Sequence, residues 1–374
     1  MEAAETARRS NGNWRRQLRR RLLAWYAAHA RDLPWRRTRD PYAIWVSEIM
    51  LQQTQVATVE GYFERFLSTF PTVSALAAAP AEQVLRQWEG LGYYRRARQM
   101  QAAAQEIDRE HGGRFPRDRA QVLALPGIGR YTAGAILSIA FGQREPILEA
   151  NTFRLLSRLI AYRGDPQSPA GRQALWQAAE ELVPVKDAGA FNQALMELGS
   201  LVCTPRAPRC DACPVQSLCR AFAAGIQAEV GRAAAKPAST AVREAAVVVR
   251  HGSSVLLIER GAAGRWAGLW DFPRFELSGR KPSALAAEAR QTLRERFAID
   301  VESLAPLTTL KHSVTRFRIT LVCYEGRYRG GRPAGDGFDS SRWVQPAALV
   351  DFPLSVTGRK LARLIANESS AGAQ

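Results

Sequence analysis

Hydrophobic residues recur at three- and four-residue spacing through the first part of the chain. Near the N-terminus the repeat runs through Trp14, Leu18, Leu22 and Trp25, with arginines on the opposite side, a pattern typical of an amphipathic helix. Comparable helical patterns cover residues 42–70, 81–89, 97–111, 119–124, 132–141, 152–162, 170–182 and 191–201. Proline and glycine separate these segments, so residues 1–224 are expected to form an all-α domain.

The hydrophobic period changes after this region. Residues 225–243 are alanine-rich and aperiodic, which predicts a linker. Short β-branched or strand-like runs and one helical pattern follow at 245–249, 255–258, 284–297 and 317–324. They predict an α+β domain over 244–366, with a disordered tail at 367–374. Two domains suit a length of 374 residues, because a domain holds roughly 150 residues.

The chain is strongly basic, with 52 Lys and Arg against 35 Asp and Glu and a net charge of +17. Such a charge favours a polyanionic partner, most often nucleic acid, with solubility or a coding bias towards arginine as the alternative. Residues 1–40 alone hold 11 arginines. Only five of the basic residues are lysines, and none of them precedes Lys186.

Several classes of protein are disfavoured by composition. Hydrophobic content of 46% and charged content of 23% argue against wholesale disorder. No apolar run approaches the roughly 18 residues that a membrane helix needs, and the N-terminus lacks the apolar core of a signal peptide. We therefore expect a cytoplasmic protein, monomeric and without a membrane partner.

Four of the five cysteines form a compact motif, C-x6-C-x2-C-x5-C, at Cys203, Cys210, Cys213 and Cys219. Four thiolates this close can converge on one metal centre, whereas a disulfide pair is disfavoured in a cytosolic protein. The spacing by itself does not distinguish zinc from an iron–sulfur cluster. Cys323 lies in a strand-like run and is expected to be a buried core residue.

Residues 125–134 (LPGIGRYTAG) place Gly127 and Gly129 in a tight turn that opens a helix. Glycine lets the backbone approach a ligand closely, and a helix start offers free N–H groups to an anion. An ordinary helix connection is the alternative, so this turn alone is weak evidence for phosphate binding.

Glu48 lies among large apolar residues in the segment 44–56. A carboxyl group in such surroundings keeps its proton to higher pH, which suits general-acid chemistry. Because Glu48, Gln52 and Gln55 would share one face of a continuous helix, a solvated helix face is the alternative.

As a set, these motifs resemble those of MutY-type adenine DNA glycosylases in the endonuclease III superfamily. Residues 47–55 (SEIMLQQTQ) are similar to the family signature, as are 33–36 and 91–94, and the likeness covers most of residues 15–222. The resemblance implies a multidomain fold: an all-α helix-hairpin-helix glycosylase domain with a [4Fe–4S] cluster on the four cysteines, then an α+β Nudix-like domain.

By this resemblance Glu48 protonates the leaving adenine at N7, and Tyr131 and Asn151 are the active-site tyrosine and asparagine. The residues implied to line the adenine pocket, enter the duplex or grip phosphates are Trp35, Arg36, Leu51, Gln53, Tyr93, Gly127, Gly129 and Gln193. Core packing is the alternative for Leu51 and for the two aromatic residues. For Asn151 the alternative is a helix N-cap.

One departure from the family pattern and one difference from bifunctional members of the superfamily affect the expected chemistry. The family's Asp-Gly-Asn is Glu149-Ala150-Asn151 here. Glu149 is expected to stabilise the oxocarbenium-like sugar, with its carboxylate moved by about 1 Å, a shift that can cost on the order of 100-fold in rate. Bifunctional relatives carry a Schiff-base lysine where this chain has Tyr131, which implies a monofunctional glycosylase without lysine-dependent lyase activity.

The segment 268–273 (GLWDFP) resembles the Nudix-like domain of the same family. Its helix supplies only Glu288 and Glu295, whereas nucleotide hydrolysis needs clustered carboxylates for Mg²⁺. The family reads 8-oxo-guanine through a Phe-Ser-His loop, which aligns best with residues 314–316. Thr315 keeps a hydroxyl, but Arg316 replaces imidazole with a permanent charge, which predicts a weaker preference for 8-oxo-guanine over guanine. The alternatives are an alignment shifted onto residues 312–313 and a phosphate contact by Arg316.

The implied activity is hydrolysis of the N-glycosidic bond of adenine mispaired with 8-oxo-guanine or guanine in double-stranded DNA. The expected location is the bacterial cytoplasm, in association with the nucleoid. A thymine or uracil mismatch glycosylase is one alternative, although the C-terminal domain argues against it. A lesion-binding protein with weakened catalysis is the other, because Glu149 departs from the family pattern.

Overall fold

The computed structural model describes residues 2–231, 238–261, 265–279, 281–335 and 338–371. Contacts within the chain divide it into two compact units. The first unit comprises Met1–Ala78 and Gln99–Ala235, and the second comprises Ala79–Arg98 and Lys236–Gln374. The segment 79–98, which lies inside the expected glycosylase domain of residues 1–224, therefore belongs to the unit that contains the C-terminal region.

The N-terminal part of the chain is helical. In chain order its helices are α1 (Glu2–His29), α2 (Pro41–Leu51), α3 (Val56–Thr69), α4 (Val73–Ala78), α5 (Ala81–Gln87), α6 (Arg95–His111), α7 (Arg119–Ala124), α8 (Arg130–Phe141), α9 (Ala150–Leu159), α10 (Pro169–Leu182), α11 (Ala188–Leu201) and α12 (Arg220–Ala223). A short 3-10 turn, Pro34–Arg36, precedes α2. The all-α prediction for this region is confirmed.

Helix α11 is at the centre of the first unit, where it packs against α1, α8 and α9. The apolar repeat of α1 supplies the fully buried Leu18 and Leu22 to this core. The same stretch of α1 also contacts the cysteine segment: Trp14 Nε1 donates to the Leu218 carbonyl at 2.9 Å, and Arg21 donates to Ser217 Oγ at 2.7 Å. The middle of α1 is therefore fixed by residues distant in sequence.

The expected single helix over residues 42–70 is wrong, because the chain breaks between α2 and α3. Gln53 takes a left-handed φ of +60°, and Gln55 precedes the first residue of α3. Neither glycine nor proline marks this break. Since Gln52 and Gln55 lie outside α2, they do not share a helix face with Glu48, which is 4% exposed. The alternative of a solvated face is therefore excluded for Glu48.

The region expected to be a linker, 225–243, is partly packed. Ile226 and Val230 bury their apolar side chains against Ala221, because they meet the short helix α12 in the first unit. Strand β1 begins at Thr240, inside the expected linker. Residues 232–237 lie outside the described residues.

The C-terminal region forms a mixed sheet with helices. Its elements are β1 (Thr240–His251), β2 (Ser254–Arg260), β3 (Trp270–Asp271), β4 (Arg274–Glu276), α13 (Pro282–Phe297), β5 (Ile299–Val301), β6 (Ala305–Val314), β7 (Phe317–Gly331), β8 (Phe338–Val344) and α14 (Val356–Ala371). Strand β1 pairs in parallel with β7 and antiparallel with β2 and β4. Strand β6 forms a hairpin with β7. The α+β prediction is confirmed.

Alternate residues of β1 enter two different cores, as the two-residue period of a strand requires. Ala245 and Val247 join α13 in one core, whereas Ala246 and Val248 join α14 in the other. Cys323 is fully buried in the second of these cores, as expected.

The end of the chain is helical as far as the structure describes it. Helix α14 runs to Ala371, so most of the expected tail at 367–374 is the last turn of this helix. Residues 372–374 lie outside the described residues. Among the described residues, no helix combines the length and apolar character needed to cross a membrane.

Candidate active site and nucleic-acid interface

A cavity of about 630 Å³ in the first unit brings together side chains from α2, α8, α9 and α11. The site residues expected from the sequence that line it are Trp35, Arg36, Glu48, Leu51, Gln53, Gly127, Gly129, Tyr131, Glu149, Asn151 and Gln193. Tyr93, Thr315 and Arg316 belong to the second unit. The chain thus gathers residues from widely separated segments around one space.

Glu48 is buried in this cavity and accepts a hydrogen bond of 2.5 Å from the hydroxyl of Tyr131. Burial raises the pKa of its carboxyl to about 7, and the nearby charge of Glu149 adds to this effect. The Tyr131 hydrogen bond and the charge of Arg36 oppose it. Because burial dominates, a proton can reside on Glu48 near neutral pH, which a general acid requires.

Tyr131 lies in the first turn of α8, where its hydroxyl also comes within 3.4 Å of Met196 Sδ. Burial, together with the negative charges of Glu48 and Glu149, raises its pKa well above the usual value. The hydroxyl therefore remains a hydrogen-bond donor at any pH relevant to an enzyme.

The glycine turn connects α7 to α8. Gly127 has a φ of +75°, and a Cβ at this position would lie 2.8 Å from the Gln99 side chain, so both conformation and space require glycine. Gly129 precedes α8, and no side chain caps the first N–H groups of this helix. Uncapped N–H groups at a helix start can donate hydrogen bonds to an anion such as phosphate.

Glu149 caps α9. Its carboxylate oxygens accept backbone N–H bonds of 2.9 Å from Asn151 and Thr152, and the Glu149 N–H donates to Thr152 Oγ1 at 2.8 Å. This is a reciprocal capping arrangement. Burial raises the pKa of the Glu149 carboxyl despite the hydrogen bonds that lower it. The N-cap is Glu149, so the alternative interpretation of Asn151 as the N-cap is wrong.

Asn151 is oriented by a buried arginine. Its Oδ1 accepts from Arg154 Nη2 at 2.9 Å, and the same guanidinium donates to the carbonyls of Gly199 at 2.6 Å and Cys203 at 2.7 Å. One side chain thus joins a cavity residue, helix α11 and the first cysteine of the motif.

The four cysteines Cys203, Cys210, Cys213 and Cys219 are free thiols and line a second, small cavity in the first unit. The buried Arg158 donates to Cys203 Sγ at 3.2 Å and to the Thr204 carbonyl at 2.8 Å. Over the described ranges, no three His, Cys, Asp or Glu side chains already converge to hold a single metal ion. The shared cavity and a cationic donor to sulfur fit a group bound through several thiolates.

A charged network beside the main cavity was not found from the sequence. Glu197 has a side chain with no exposed surface and binds Arg31 and Arg36 at 2.6 and 2.8 Å. Burial opposes ionisation of Glu197, but hydrogen bonds from Arg31 and Arg36 lower its pKa to about 2. Arg36 therefore enters the cavity wall already paired with a carboxylate. No local pattern links residues 166 positions apart.

Three other cavity residues expected from the sequence, two in the adenine pocket and one entering the duplex, differ in their surroundings. Trp35 is 7% exposed and packs edge-on against Phe63. Gln193 Oε1 accepts from the Tyr26 hydroxyl at 2.6 Å. Gln53 is exposed in the break between α2 and α3, where its left-handed backbone departs from that of both helices.

Two exposed features of the second unit carry the other expected DNA contacts. Tyr93 is 48% exposed, which excludes the core-packing alternative for this residue. Thr315 and Arg316 are exposed at the turn between β6 and β7, and Thr315 has a φ of +51°. His312 lies within β6, so the turn itself consists of Thr315 and Arg316.

The two glutamates of helix α13 form hydrogen bonds within the chain. Glu288 accepts N–H bonds from Ser278 at 2.6 Å and Gly279 at 2.9 Å, so its carboxylate holds a loop. Glu295 accepts from Gln291 at 2.8 Å.

Comparison with known proteins agrees with this geometry. Residues 46–181 match the HhH-GPD superfamily of base excision DNA repair proteins, residues 203–219 match the iron–sulfur binding domain of endonuclease III, and residues 244–364 match the NUDIX domain. The adenine DNA glycosylase of Rattus norvegicus is 36% identical over 92% of this chain and 77% of its own length. The Homo sapiens adenine DNA glycosylase is 35% identical over 92% and 73%.

The chain belongs to the adenine DNA glycosylase family. Membership confirms the resemblance recognised in the motifs, including the iron–sulfur binding domain on the cysteine segment. Among solved structures, a thermostable thymine-DNA glycosylase covers 57% of this chain with 31% identity and a TM-score of 0.53. The likeness covers 99% of that protein, so the two share the helical fold, although the neighbour is named for thymine rather than adenine.

Proposed function

We propose that this protein hydrolyses the N-glycosidic bond of adenine mispaired with 8-oxo-guanine or guanine in double-stranded DNA, and that it lacks lysine-dependent lyase activity. The observation that carries the proposal is the buried pair of Glu48 and Tyr131 in one cavity with the carboxylate of Glu149. The names of the curated relatives support adenine as the base. The net charge of +17 fits binding to DNA phosphates. We further propose that the protein acts as a monomer on nucleoid DNA.

In the proposed reaction Glu48 donates its proton to N7 of adenine while the bond from C1′ to N9 breaks. The electron pair of that bond stays on adenine, and positive charge develops on the sugar. The carboxylate of Glu149 stabilises this charge electrostatically. Water then attacks C1′ and gives a proton to the Glu48 carboxylate, which restores the acid and leaves an abasic site.

Adenine must leave the base stack to reach Glu48, which buried-site glycosylases achieve by base flipping. Trp35, Arg36 and Gln193 line the cavity and offer an aromatic face, a guanidinium and an amide to the extruded base. The phosphates flanking it suit the uncapped N–H groups after Gly127 and Gly129. The remaining duplex contacts in the proposal come from Leu51, Gln53 and Tyr93.

Recognition of the opposite base is assigned to the turn of Thr315 and Arg316. A hydroxyl and a guanidinium are both exposed there, and the guanidinium lies 5.2 Å from the Phe317 ring. Since a fixed charge contacts phosphate as readily as a base edge, we expect a smaller preference for 8-oxo-guanine over guanine than a Phe-Ser-His loop gives. Arg316→His is expected to increase that preference.

The cysteines Cys203, Cys210, Cys213 and Cys219 are proposed to hold a [4Fe–4S] cluster, as the match to the endonuclease III domain favours. When bound, the cluster shapes the cysteine segment and takes no part in bond cleavage. Arg158 and Arg154 hold the Cys203 sulfur and carbonyl, so the chain's own residues orient the first ligand.

The residues of the first unit support the proposed absence of a lyase step. Tyr131 occupies the start of α8. Lys186 is the only lysine before Lys236, and it is not among the residues that line the cavity. A Schiff base requires an amine at the sugar, and a phenol cannot form one.

Single-turnover assays on A·8-oxo-guanine, A·G and T·G duplexes test the proposal. We expect free adenine from the first two and no strand cleavage without added base. Release of thymine would favour the thymine-DNA glycosylase activity for which the structural neighbour is named. Tight binding to A·8-oxo-guanine without free adenine would favour a lesion-binding protein, and an undiminished rate in Glu48→Gln would refute the assigned acid.

A further inference from the structure

The turn that carries Tyr93 is a constrained element. Gly90 and Gly92 have φ values of +102° and +71°, and Tyr93 has a φ of +48°. These left-handed positions reverse the chain sharply between α5 and α6. The ring of Tyr93 stays 48% exposed, although its backbone is fixed.

Arg96 binds the backbone of this turn through its guanidinium. Its Nη2 donates to the carbonyls of Leu91 at 3.3 Å and Gly92 at 3.2 Å. Its guanidinium lies 5.3 Å from the Trp88 ring centroid and 5.5 Å from that of Tyr93, distances at which a cation attracts an aromatic face. Burial lowers the pKa of Arg96 to about 10, which leaves it charged at neutral pH. One cation thus contacts both the backbone just before Tyr93 and the ring of Tyr93.

Glu89, at the start of the turn, is bound by helix α14. Its two carboxylate oxygens accept from Arg359 Nε at 2.8 Å and Nη2 at 2.9 Å, and the side chains are only 9% and 11% exposed. Arg359 also donates to the Leu349 carbonyl at 2.7 Å, and the Leu354 N–H donates to Glu89 at 3.3 Å. A bidentate pair of this kind fixes orientation as well as distance.

The turn that carries Tyr93 and the hairpin of residues 315–316 both belong to the second unit. We propose that Glu89 and Arg359 are positioning residues that, with Arg96, hold Tyr93 for reading the base opposite adenine. The turn and the hairpin act as two parts of one lesion-reading surface. The groups assigned to bond cleavage all lie in the first unit.

The inference rests on the proposed function, because it takes Tyr93 and the hairpin as DNA contacts. It adds that an ion pair in the second unit controls the choice of opposite base without controlling cleavage. Loosening the pair lets the Tyr93 turn move relative to α14, so the contacts that distinguish 8-oxo-guanine from guanine weaken together.

The test uses the full-length protein with its cluster and the variants Glu89→Gln, Arg359→Lys and Arg96→Lys. The matched control is Arg363→Lys, which keeps its charge on an exposed position of α14. Dissociation constants are measured on duplexes with a cleavage-resistant 2′-fluorinated adenine nucleotide opposite 8-oxo-guanine or guanine. We expect the ratio of the two constants to fall about tenfold in the three variants and to stay unchanged in the control.

Two further readouts separate positioning from general destabilisation. The single-turnover rate on A·8-oxo-guanine substrate saturated with enzyme should stay at the wild-type value. A 2-aminopurine placed beside 8-oxo-guanine should no longer show the fluorescence change that the contact with Tyr93 causes in the wild-type complex. In a Tyr93→Ala background, Glu89→Gln should have no further effect on the ratio, because both act through one ring.

An unchanged ratio in Arg359→Lys and Arg96→Lys would overturn the inference, as would effects of Glu89→Gln and Tyr93→Ala that simply add. Arg96→Lys leaves the ion pair intact and so remains informative if Glu89→Gln does not fold. If the wild-type protein releases no adenine from any duplex, the proposed function fails. If it releases adenine and the variants keep the wild-type ratio, this inference alone fails.

Discussion

Tyr131 donates its hydroxyl hydrogen to Oε2 of Glu48 across 2.5 Å, although the two residues are 83 positions apart. The hydrogen bond favours the ionised carboxylate and so works against burial, which raises the pKa of Glu48 to about 7. These two opposing effects set the pKa of Glu48, and that pKa sets the pH range in which Glu48 can act as an acid.

Removing that hydroxyl should make Glu48 hold its proton more tightly. A general acid must be protonated to act, so the wild-type single-turnover rate should fall as pH rises through about 7. In Tyr131→Phe the falling limb should move to higher pH, because a contribution that lowers the pKa is lost. Rate profiles between pH 5 and 9 on saturated A·G substrate measure this. A limb that stays in place or moves to lower pH would contradict the assigned balance.

Glu149 combines a charge with a helix cap, and two substitutions separate these roles. Glu149→Gln removes the charge, so we expect the single-turnover rate to fall on the order of 100-fold or more. The same change should cost about 1 kcal/mol of unfolding free energy, because part of the cap is lost. Glu149→Asp keeps both charge and cap chemistry and should retain activity. Equal rates for Glu149→Gln and wild type would rule out electrostatic stabilisation by this residue.

Glu197 should make stability depend on acid pH. Its folded pKa of about 2 lies below the ordinary 4.5, so the stabilisation is present above about pH 4.5 and is lost as pH falls towards 2. A shift of this size corresponds to about 3 kcal/mol. Glu197→Gln should lower the unfolding free energy at pH 7 by about 3–5 kcal/mol and flatten its acid dependence.

Denaturant unfolding at several pH values measures the Glu197 effect. The control is Glu181→Gln, which removes a solvent-exposed ion pair with Arg15 and should cost less than about 1 kcal/mol. Comparable losses of unfolding free energy in both variants would show that the buried network of Glu197 stabilises the fold no more than an exposed ion pair does.

The glycine turn before α8 offers a matched pair of substitutions. Gly127→Ala places a methyl group against Gln99 and forces a left-handed alanine, so it should cost about 1–2 kcal/mol and weaken DNA binding. Gly129→Ala meets open space at a negative φ of −93° and should leave stability near wild type. Thermal unfolding and fluorescence anisotropy with a duplex measure the two effects. Equal stability and equal DNA affinity of the two variants would contradict the requirement for glycine at Gly127.

The sequence predicts those parts of the site that lie in contiguous motifs. Glu48 within an apolar segment and the cysteine spacing carry their chemistry in a few adjacent positions, and the fold class follows from the hydrophobic period. The break at Gln53 has no signal in the sequence, because neither glycine nor proline marks it and a left-handed backbone runs against the local preference of glutamine.

Partners that are distant in sequence are also invisible to pattern analysis. In the sequence, Glu197 is one polar position on an amphipathic helix. In the structure it pairs with Arg31 and Arg36, which lie 166 and 161 positions away. Glu89 and Arg359 are separated by 270 positions. Only the folded backbone brings such charges together, so their pairing has no local signature.

Each unit is built from two separate segments of the chain. The chain leaves the first unit after Ala78, contributes residues 79–98 to the second unit, and returns to the first unit at Gln99. During synthesis, Glu89 therefore emerges from the ribosome long before Arg359 exists to pair with it. Cutting the chain near residue 235 would leave every residue of the first unit in one fragment, whereas the C-terminal fragment would lack the segment 79–98 of its own unit. The second unit is thus expected to complete its folding only when helix α14 has been made, long after its first segment has left the ribosome.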